Sequence, residues 1–168
     1  MGAWGVDIMS NDETLDCIGF IGDELQRLSP EFINRYFYDE HLDLLFFGLE
    51  ELKEAPSVVI HGVRDLINEH LDKLVKVAGA DNPDGLQALG CLIMAVGAEM
   101  PEALRESIIR HGVEEASTID ALRQWREQAK LRYRVLMNFK HAVLNHQPGQ
   151  QWFEDTKSFL DALEELYD

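Results

Sequence analysis

The chain is short of basic residues, has only two cysteines and contains no long uninterrupted apolar run. Its 168 residues hold 15 lysines and arginines against 31 aspartates and glutamates, a net charge of −16 at pH 7. Phosphate backbones repel such a surface, so we expect no nucleic-acid partner. The charge favours a basic protein as the partner instead.

Cys17 and Cys91 each stand among apolar neighbours, which favours free buried thiols over a disulfide. The residues after Met1 do not follow the charged-then-apolar pattern of a secretory signal. The longest apolar stretch, 86–100, is interrupted by polar residues and glycines and is too short to span a bilayer. We therefore expect a cytoplasmic protein with no membrane partner.

Patterns typical of β-strands are also missing, because every long apolar pattern repeats at the helical period. No linker or low-complexity segment divides the chain. The sequence therefore predicts an all-α fold, with residues 1–168 as a single domain of about seven to eight helices. Residues 1–11 form a non-helical N-terminal lead in this interpretation.

The longest predicted helix, 118–146, lies in a stretch without glycine or proline. Ser117 and Thr118 supply an N-cap, and Pro148-Gly149 terminates the helix. At about 1.5 Å per residue the rod is roughly 42 Å long, enough to act as a spine for shorter helices. Its predicted inward face consists of Leu122, Trp125, Ala129, Tyr133, Leu136, Phe139 and Val143.

Shorter helices are predicted from their caps and apolar faces. The helix at 86–97 is apolar almost all round, which is typical of a central position. The other predicted helices cover about 12–28, 30–37, 39–55, 57–78, 101–112 and 150–167.

Charge is distributed unevenly along the chain. Residues 1–60 hold 13 acidic and three basic side chains, whereas 117–147 hold two acidic and six basic ones. A basic stripe lies beside the apolar face of the predicted spine, and we expect it to pair with the first three helices. The stripe consists of Arg123, Arg126, Lys130 and Arg134.

The histidines and carboxylates do not form a known metal motif. His61, Asp65 and Glu69 are four apart in sequence, as are His111 and Glu115, but no Glu-x-x-His pair recurs. We therefore predict no metal and no cofactor. The acidic group of Asp7, Asp12, Glu13 and Asp16 does not have the spacing of a calcium loop, and a capped helix start explains it better.

No catalytic nucleophile is assigned. The apolar neighbours of both cysteines should raise the pKa of their thiols, the wrong direction for a nucleophile. No Gly-x-Ser-x-Gly motif occurs, and Gly2-Ala3-Trp4-Gly5 lacks the lysine of a phosphate-binding loop.

The N-terminus resembles a known family. Met1-Gly2-Ala3-Trp4-Gly5, followed by Ser10-Asn11-Asp12 and then Leu15-Asp16, is similar to the start of the domain of unknown function 4259 family. The resemblance covers about 25 of the 168 residues, and the family has no established enzymatic activity. Small acidic bacterial proteins of this kind are suspected to be immunity proteins of toxin systems. The structural motif comprises Gly2, Trp4, Gly5, Asn11 and Asp12, with Trp4 predicted to be buried.

These observations favour a non-enzymatic acidic binding protein, as an immunity protein that neutralises a bacterial toxin. One alternative is a hydrolase or metal-dependent enzyme with a site between helices, and another is a small-molecule sensor that uses the central apolar helices. A pocket that gathers several of the His61, Asp65, Glu69, His111 and Glu115 side chains would favour the enzyme. The predicted partner-binding residues are Asp39, Glu40, Asp43, Glu50, Glu51 and Glu54.

Overall fold

The computed structural model describes residues 7–10, 12–38, 49–123 and 129–154. Of these residues, 79% are helical and none lies in a strand, which confirms the all-α prediction. None of the helices in this described part is long and apolar enough to cross a bilayer.

The described residues contain seven α-helices, joined by shorter 3-10 and π-helical segments. Two 3-10 helices span Ile8–Ser10 and Glu50–Glu54, and π-helical segments at Asn34–Tyr38 and Ile108–Glu114 continue α2 and α5. The α-helices are α1 (Asp12–Leu28), α2 (Pro30–Ile33), α3 (Ser57–Ala78), α4 (Pro83–Val96), α5 (Glu102–Ser107), α6 (Ile119–Leu122) and α7 (Ala129–Asn145).

Helix α4 is the centre of the fold. Twelve of its residues, 85–96, are buried, and α1, α3 and the π-helical segment Ile108–Glu114 pack around it. Asn82 starts the helix, because its side chain accepts a hydrogen bond from the backbone of Asp84 at 3.2 Å. Gly97 ends it in the left-handed conformation, with φ of 70°. The prediction of a buried central helix here is confirmed.

Helices α3 and α4 approach each other closely at Gly85. A Cβ atom at this position would lie 1.8 Å from the carbonyl oxygen of Ala78, the last residue of α3. Backbone therefore meets backbone at the turn between the two helices, and only glycine leaves the necessary space.

The predicted spine is not the central element. The described part of 118–146 forms two helices, α6 and α7, while residues 124–128, with Trp125 and Arg126, lie outside the described residues. Helix α7 packs mainly on the π-helical segment and is flanked by solvent on its other side. Helix α4 therefore occupies the centre of the described part, because it is buried all round whereas α7 has one side in water.

The predicted inward face of α7 is wrong at Tyr133, which is 49% exposed. The buried positions on this side are Arg132, Leu136, Phe139 and Val143, at steps of four, three and four. Either 132 or 133 satisfies the helical period from Leu136, so periodicity could not choose between them. Burial of Arg132 is possible because its guanidinium finds partners.

The predicted last helix does not begin at Gln150. Residues 150–154 are non-helical, and 155–168 lie outside the described residues. The reason is that this segment supplies hydrogen-bond donors to the C-terminal end of α4, whose last carbonyls have no partner within the helix.

Each of the five carbonyls from 94 to 98 accepts a hydrogen bond from a distant residue. The donors and acceptors are Trp152 N to Met94 O (2.8 Å), Gln151 Nε2 to Ala95 O (2.9 Å), Arg64 Nε to Val96 O (2.7 Å), Gly149 N to Gly97 O (2.8 Å) and His146 Nε2 to Ala98 O (2.7 Å).

Two further boundaries differ from the predictions. The N-terminal lead contains the 3-10 helix Ile8–Ser10 and is therefore not wholly non-helical. Of the predicted helix 39–55, residues 39–48 lie outside the described residues, and Glu50–Glu54 is a 3-10 helix that ends before Pro56.

Candidate functional site

A buried charged cluster lies at the N-terminal end of α4. It consists of Arg132 and Gln87, which are buried, and of Asp84 and Glu154, which are half-buried, and Asp7 and Glu13 face it. Arg132 is only 4% exposed. Its Nη1 donates to the backbone oxygen of Asp7 at 3.1 Å, and its Nη2 donates to Gln87 Oε1 at 3.3 Å. The buried charged cluster thus connects α7 to α4 and to the N-terminal turn.

Glu154 joins the two ends of the described chain. Its carboxylate accepts hydrogen bonds from the backbone N–H of Ile8 at 2.9 Å and of Met9 at 3.0 Å. Burial raises the pKa of Glu154 to about 7 from an ordinary value of 4.5. The Ile8 N–H opposes this rise in pKa, Asp7 adds to it, and the Met9 N–H and Arg132 oppose it. The Glu154 carboxyl therefore exchanges its proton near neutral pH.

Asp84 and Glu13 form a pair of carboxyl groups. Burial, followed by the hydrogen bond and the charge of Glu13, raises the pKa of Asp84 to about 6, and Arg132 opposes the rise. Two carboxyl groups can hydrogen-bond to each other only if one of them carries a proton. Asp84 therefore holds a proton at mildly acidic pH.

The chemistry of this cluster is internal to the fold. One guanidinium lies among several carboxyl groups, and both Arg132 and Glu154 use their polar atoms on backbone and side-chain partners. Such an arrangement holds chain segments together, and breaking it leaves a charge buried without a partner. Sequence reasoning missed the cluster. The only signal was Gln87, an amide within an otherwise apolar helix.

The basic stripe predicted to pair with the first three helices is exposed where it is described. Arg123, Lys130 and Arg134 are exposed, while Arg126 lies outside the described residues. Lys140 pairs with Glu114 of the π-helical segment at 3.4 Å. Arg132, which the stripe did not include, is buried and interacts with the charges of Glu154, Asp84 and Asp7.

The histidines of the described ranges do not assemble into a site. His61, Asp65 and Glu69 are exposed on α3, and His111 Nδ1 lies 3.0 Å from Glu115 Oε1 at the surface. Within the described ranges, no three histidine, cysteine, aspartate or glutamate side chains converge as metal ligands would. His146 is buried and donates to Ala98 O, so its Nε2 carries the proton. Burial lowers its pKa from 6.5, the hydrogen bond to Ala98 opposes this, and Arg105 adds to the lowering.

Both cysteines are free thiols, as predicted. Burial raises the pKa of Cys17 and of Cys91, the latter well above 9.0. Neither thiol has the depressed pKa of an activated nucleophile.

Few of the predicted binding residues can be placed. Glu54 is exposed at the end of the 3-10 helix Glu50–Glu54, and Asp12 begins α1 and is half-buried. For Glu50 and Glu51, only the backbone is described. The remaining predicted residues lie outside the described residues, so their roles stay predictions: Gly2, Trp4, Gly5, Asn11, Asp39, Glu40 and Asp43.

The outward face of α1 was not singled out from the sequence. Exposed residues recur along it at steps of three and four: Glu13, Asp16, Phe20, Asp23 and Arg27. Phe20 is 59% exposed, the highest value among the large apolar side chains of the described ranges. A phenylalanine in this position contributes little to the core, because α1 buries its opposite side. We call Asp16, Gly19, Phe20 and Asp23 the α1 patch.

A shallow groove of about 270 Å³ lies between α5, the π-helical segment and the end of α7. Its apolar floor is formed by Ile109 and by Leu144, which is 54% exposed. Its rim is charged, with Glu102, Arg105, Glu106, Arg110 and Glu114. None of the five residues proposed for an enzyme site lines it.

Comparison with family models, with curated proteins and with solved structures finds no match for this chain.

Proposed function

We propose that this protein is a non-enzymatic binding protein that engages a basic protein through its acidic surface. The α1 patch is the observation that carries the proposal. Asp16 and Asp23 are exposed, and neither makes an ion pair with another described residue. Two carboxylates with no ion-pair partner among the described residues, one on each side of an exposed aromatic ring, favour association with a cationic surface.

The charge of the whole chain supports the same proposal. A net charge of −16 accelerates encounter with basic proteins and slows encounter with acidic ones. The hydrolase or metal-enzyme alternative has weaker support, because no three histidine, cysteine, aspartate or glutamate side chains of the described residues lie together as metal ligands would. The small-molecule sensor alternative has weaker support as well, because the shallow groove is open to solvent and α4 is tightly packed.

In its specific form, the proposal is that the protein neutralises a bacterial toxin by binding it. The N-terminal resemblance to small acidic bacterial proteins motivates this form, and a basic toxin domain would complement the acidic surface. The predicted interface comprises residues 7–54, which contain the α1 patch and the acidic segment 39–54.

The experiment uses the purified product of an adjacent toxin-like open reading frame as the partner. Reversing Glu50, Glu51 and Glu54 to lysine should slow association, more strongly at 50 mM than at 500 mM salt, where Debye lengths are roughly 14 and 4 Å. The matched control reverses Asp65, Glu69 and Asp72, three exposed acidic residues on α3. The control changes the net charge by the same amount as the first variant, but its three substitutions lie outside residues 7–54.

Slower association of the first variant than of the control would support the interface at 39–54. Equal association rates for the two variants, both below wild type, would contradict an interface at 39–54 and leave only attraction by the net charge. Wild-type rates for both variants at every salt concentration would contradict it.

A further inference from the structure

Phe20 occupies a position that the fold of α1 does not require. The buried side of this helix consists of Thr14, Ile18, Ile21, Gly22 and Leu25, and Phe20 lies away from it. Most described aromatic residues elsewhere are buried or half-buried, including Phe37 at 4% and Phe139 at 0% exposure. An aromatic ring left in water on a rigid helix is the kind of side chain that anchors protein interfaces.

The residues next to Phe20 on α1 indicate which kind of partner side chain could pack on its ring. Asp16 precedes it by four residues and Asp23 follows it by three, so both carboxylates lie on the same side of the helix as the ring. Gly19 adds no side chain beside them, and a Cβ placed there would have no atom within 4 Å. The ring face is therefore approachable, and negative charge flanks it on both sides along the helix.

Glu24, also on α1, differs from Asp16 and Asp23 because its charge is paired. Its carboxylate pairs with Arg27 three residues later in α1. The hydrogen bond to Arg27 lowers the pKa of Glu24, and the two charges cancel at the C-terminal end of α1. The uncompensated negative charge is thus concentrated at Asp16 and Asp23, around the ring.

We infer that the α1 patch receives an arginine side chain of the basic partner, with the guanidinium stacked on Phe20 and hydrogen-bonded to Asp16 or Asp23. This inference rests on the proposed function. A guanidinium is planar, stacks on aromatic faces and pairs with carboxylates through two parallel hydrogen bonds. A lysine ammonium shares only the charge, because it is a compact, strongly hydrated point donor. The α1 patch should therefore discriminate arginine from lysine.

Tyr133 on α7 provides a matched control. It is a second exposed aromatic residue on a helix, at 49%, but Lys130 precedes it by three residues and Met137 follows it by four. The ring of Tyr133 thus lacks the flanking carboxylates of Phe20. If stacking alone were sufficient, a guanidinium would bind equally well at Phe20 and at Tyr133. The arrangement proposed here requires flanking carboxylates, so binding is expected at Phe20 only.

The test uses the full chain and two peptides, one of four Gly-Arg repeats and one of four Gly-Lys repeats. Titrations at 50 mM salt are followed by the backbone amide signals of Gly19 and Phe20. We expect the arginine peptide to bind at least about threefold more tightly than the lysine peptide. Phe20→Leu keeps the apolar bulk and should bring the two affinities to within a factor of about 1.5, while Tyr133→Leu should leave the preference unchanged.

Unfolding midpoints of both variants should stay close to wild type, since both positions are exposed. Equal affinity for the two peptides in the wild type, or a preference that persists in Phe20→Leu, would overturn the inference while leaving an acidic binding surface in place. Failure of both peptides to bind at 50 mM salt would instead count against the proposed function and the inference together.

Discussion

The two ends of helix α4 are stabilised in opposite ways. At its N-terminal end, the carboxyl groups of Asp84 and Glu154 and the amide of Gln87 lie around one buried cation, Arg132. At its C-terminal end, the carbonyls from 94 to 98 accept hydrogen bonds from backbone amides, a glutamine, an arginine and a neutral histidine. The C-terminal end is thus satisfied by donors of ordinary protonation, whereas ionisable side chains with raised pKa values lie beside the N-terminal end and make stability dependent on pH.

The difference follows from what reaches each end. The C-terminal end meets a non-helical segment, 149–152, whose own backbone donors are free to turn towards α4. The N-terminal end meets side chains of helices α1 and α7, Glu13 and Arg132 among them. Acidic and basic groups therefore gather beside this end, where the backbone of α4 also meets the Ala78 carbonyl at Gly85.

The largest loss of stability is expected for a substitution at Gly85, where the backbones of α3 and α4 meet near the N-terminal end of α4. Gly85→Ala would force a Cβ against the carbonyl of Ala78, and we expect it to cost more than about 4 kcal/mol of the free energy of unfolding or to prevent folding. Gly19→Ala in α1 is the control, because a Cβ there has no atom within 4 Å. It should stabilise the protein by about 0.5–1 kcal/mol through helix propensity. Urea denaturation measures both, and a cost below about 1 kcal/mol for Gly85→Ala would contradict the close approach of α3 and α4.

The second prediction compares one arginine at each end. Arg132→Met keeps the apolar stem but leaves the carboxyl groups of the buried charged cluster without their cation, and should cost about 3–5 kcal/mol. Arg64→Met removes one hydrogen bond to Val96 O at the other end and should cost about 1–3 kcal/mol. Comparable losses in urea denaturation would show that the charged end is not held differently from the neutral one.

The third prediction concerns pH. Glu154 holds its proton up to about pH 7 in the folded chain but releases it near 4.5 when unfolded. Between these values the native state binds more protons, so the free energy of unfolding falls as pH rises, by on the order of 3 kcal/mol. Asp84, with a pKa raised to about 6, acts in the same direction. Glu154→Gln should make the dependence on pH clearly shallower, as measured by urea denaturation between pH 4.5 and 8.

His146 at the C-terminal end supplies a control of opposite sign. Burial lowers its pKa below 6.5, so the unfolded chain binds the extra proton and stability rises as pH increases towards 6.5. His146→Gln keeps a donor for Ala98 O but removes the contribution of His146, which opposes that of Glu154. The free energy of unfolding of this variant should therefore fall more steeply with rising pH than that of wild type. A profile for Glu154→Gln as steep as that of wild type would remove Glu154 as the cause.

The sequence determined the class of fold and most of the helix starts. Ser29-Pro30 marks a helix that begins at the expected residue, because a cap and a proline act within one turn of chain, whereas α4 begins at Pro83, three residues before the predicted start. The apolar run 86–96 could only be a buried central helix, since no side of it tolerates water. The charge of −16 and the dispersed histidines likewise favoured a binding function over a metal site before any contact was known.

Only the tertiary structure decided which residues carry the buried charge and which aromatic ring remains outside. Arg132 and Tyr133 are adjacent in sequence and equally compatible with the helical period, yet one is buried and the other exposed. The choice depends on Gln87 and Asp7, which are 45 and 125 residues away from Arg132. The segment 149–154 stays non-helical for the same reason. Its donors satisfy α4 and its last carboxylate satisfies Ile8 and Met9, and no local pattern records partners so distant in the chain.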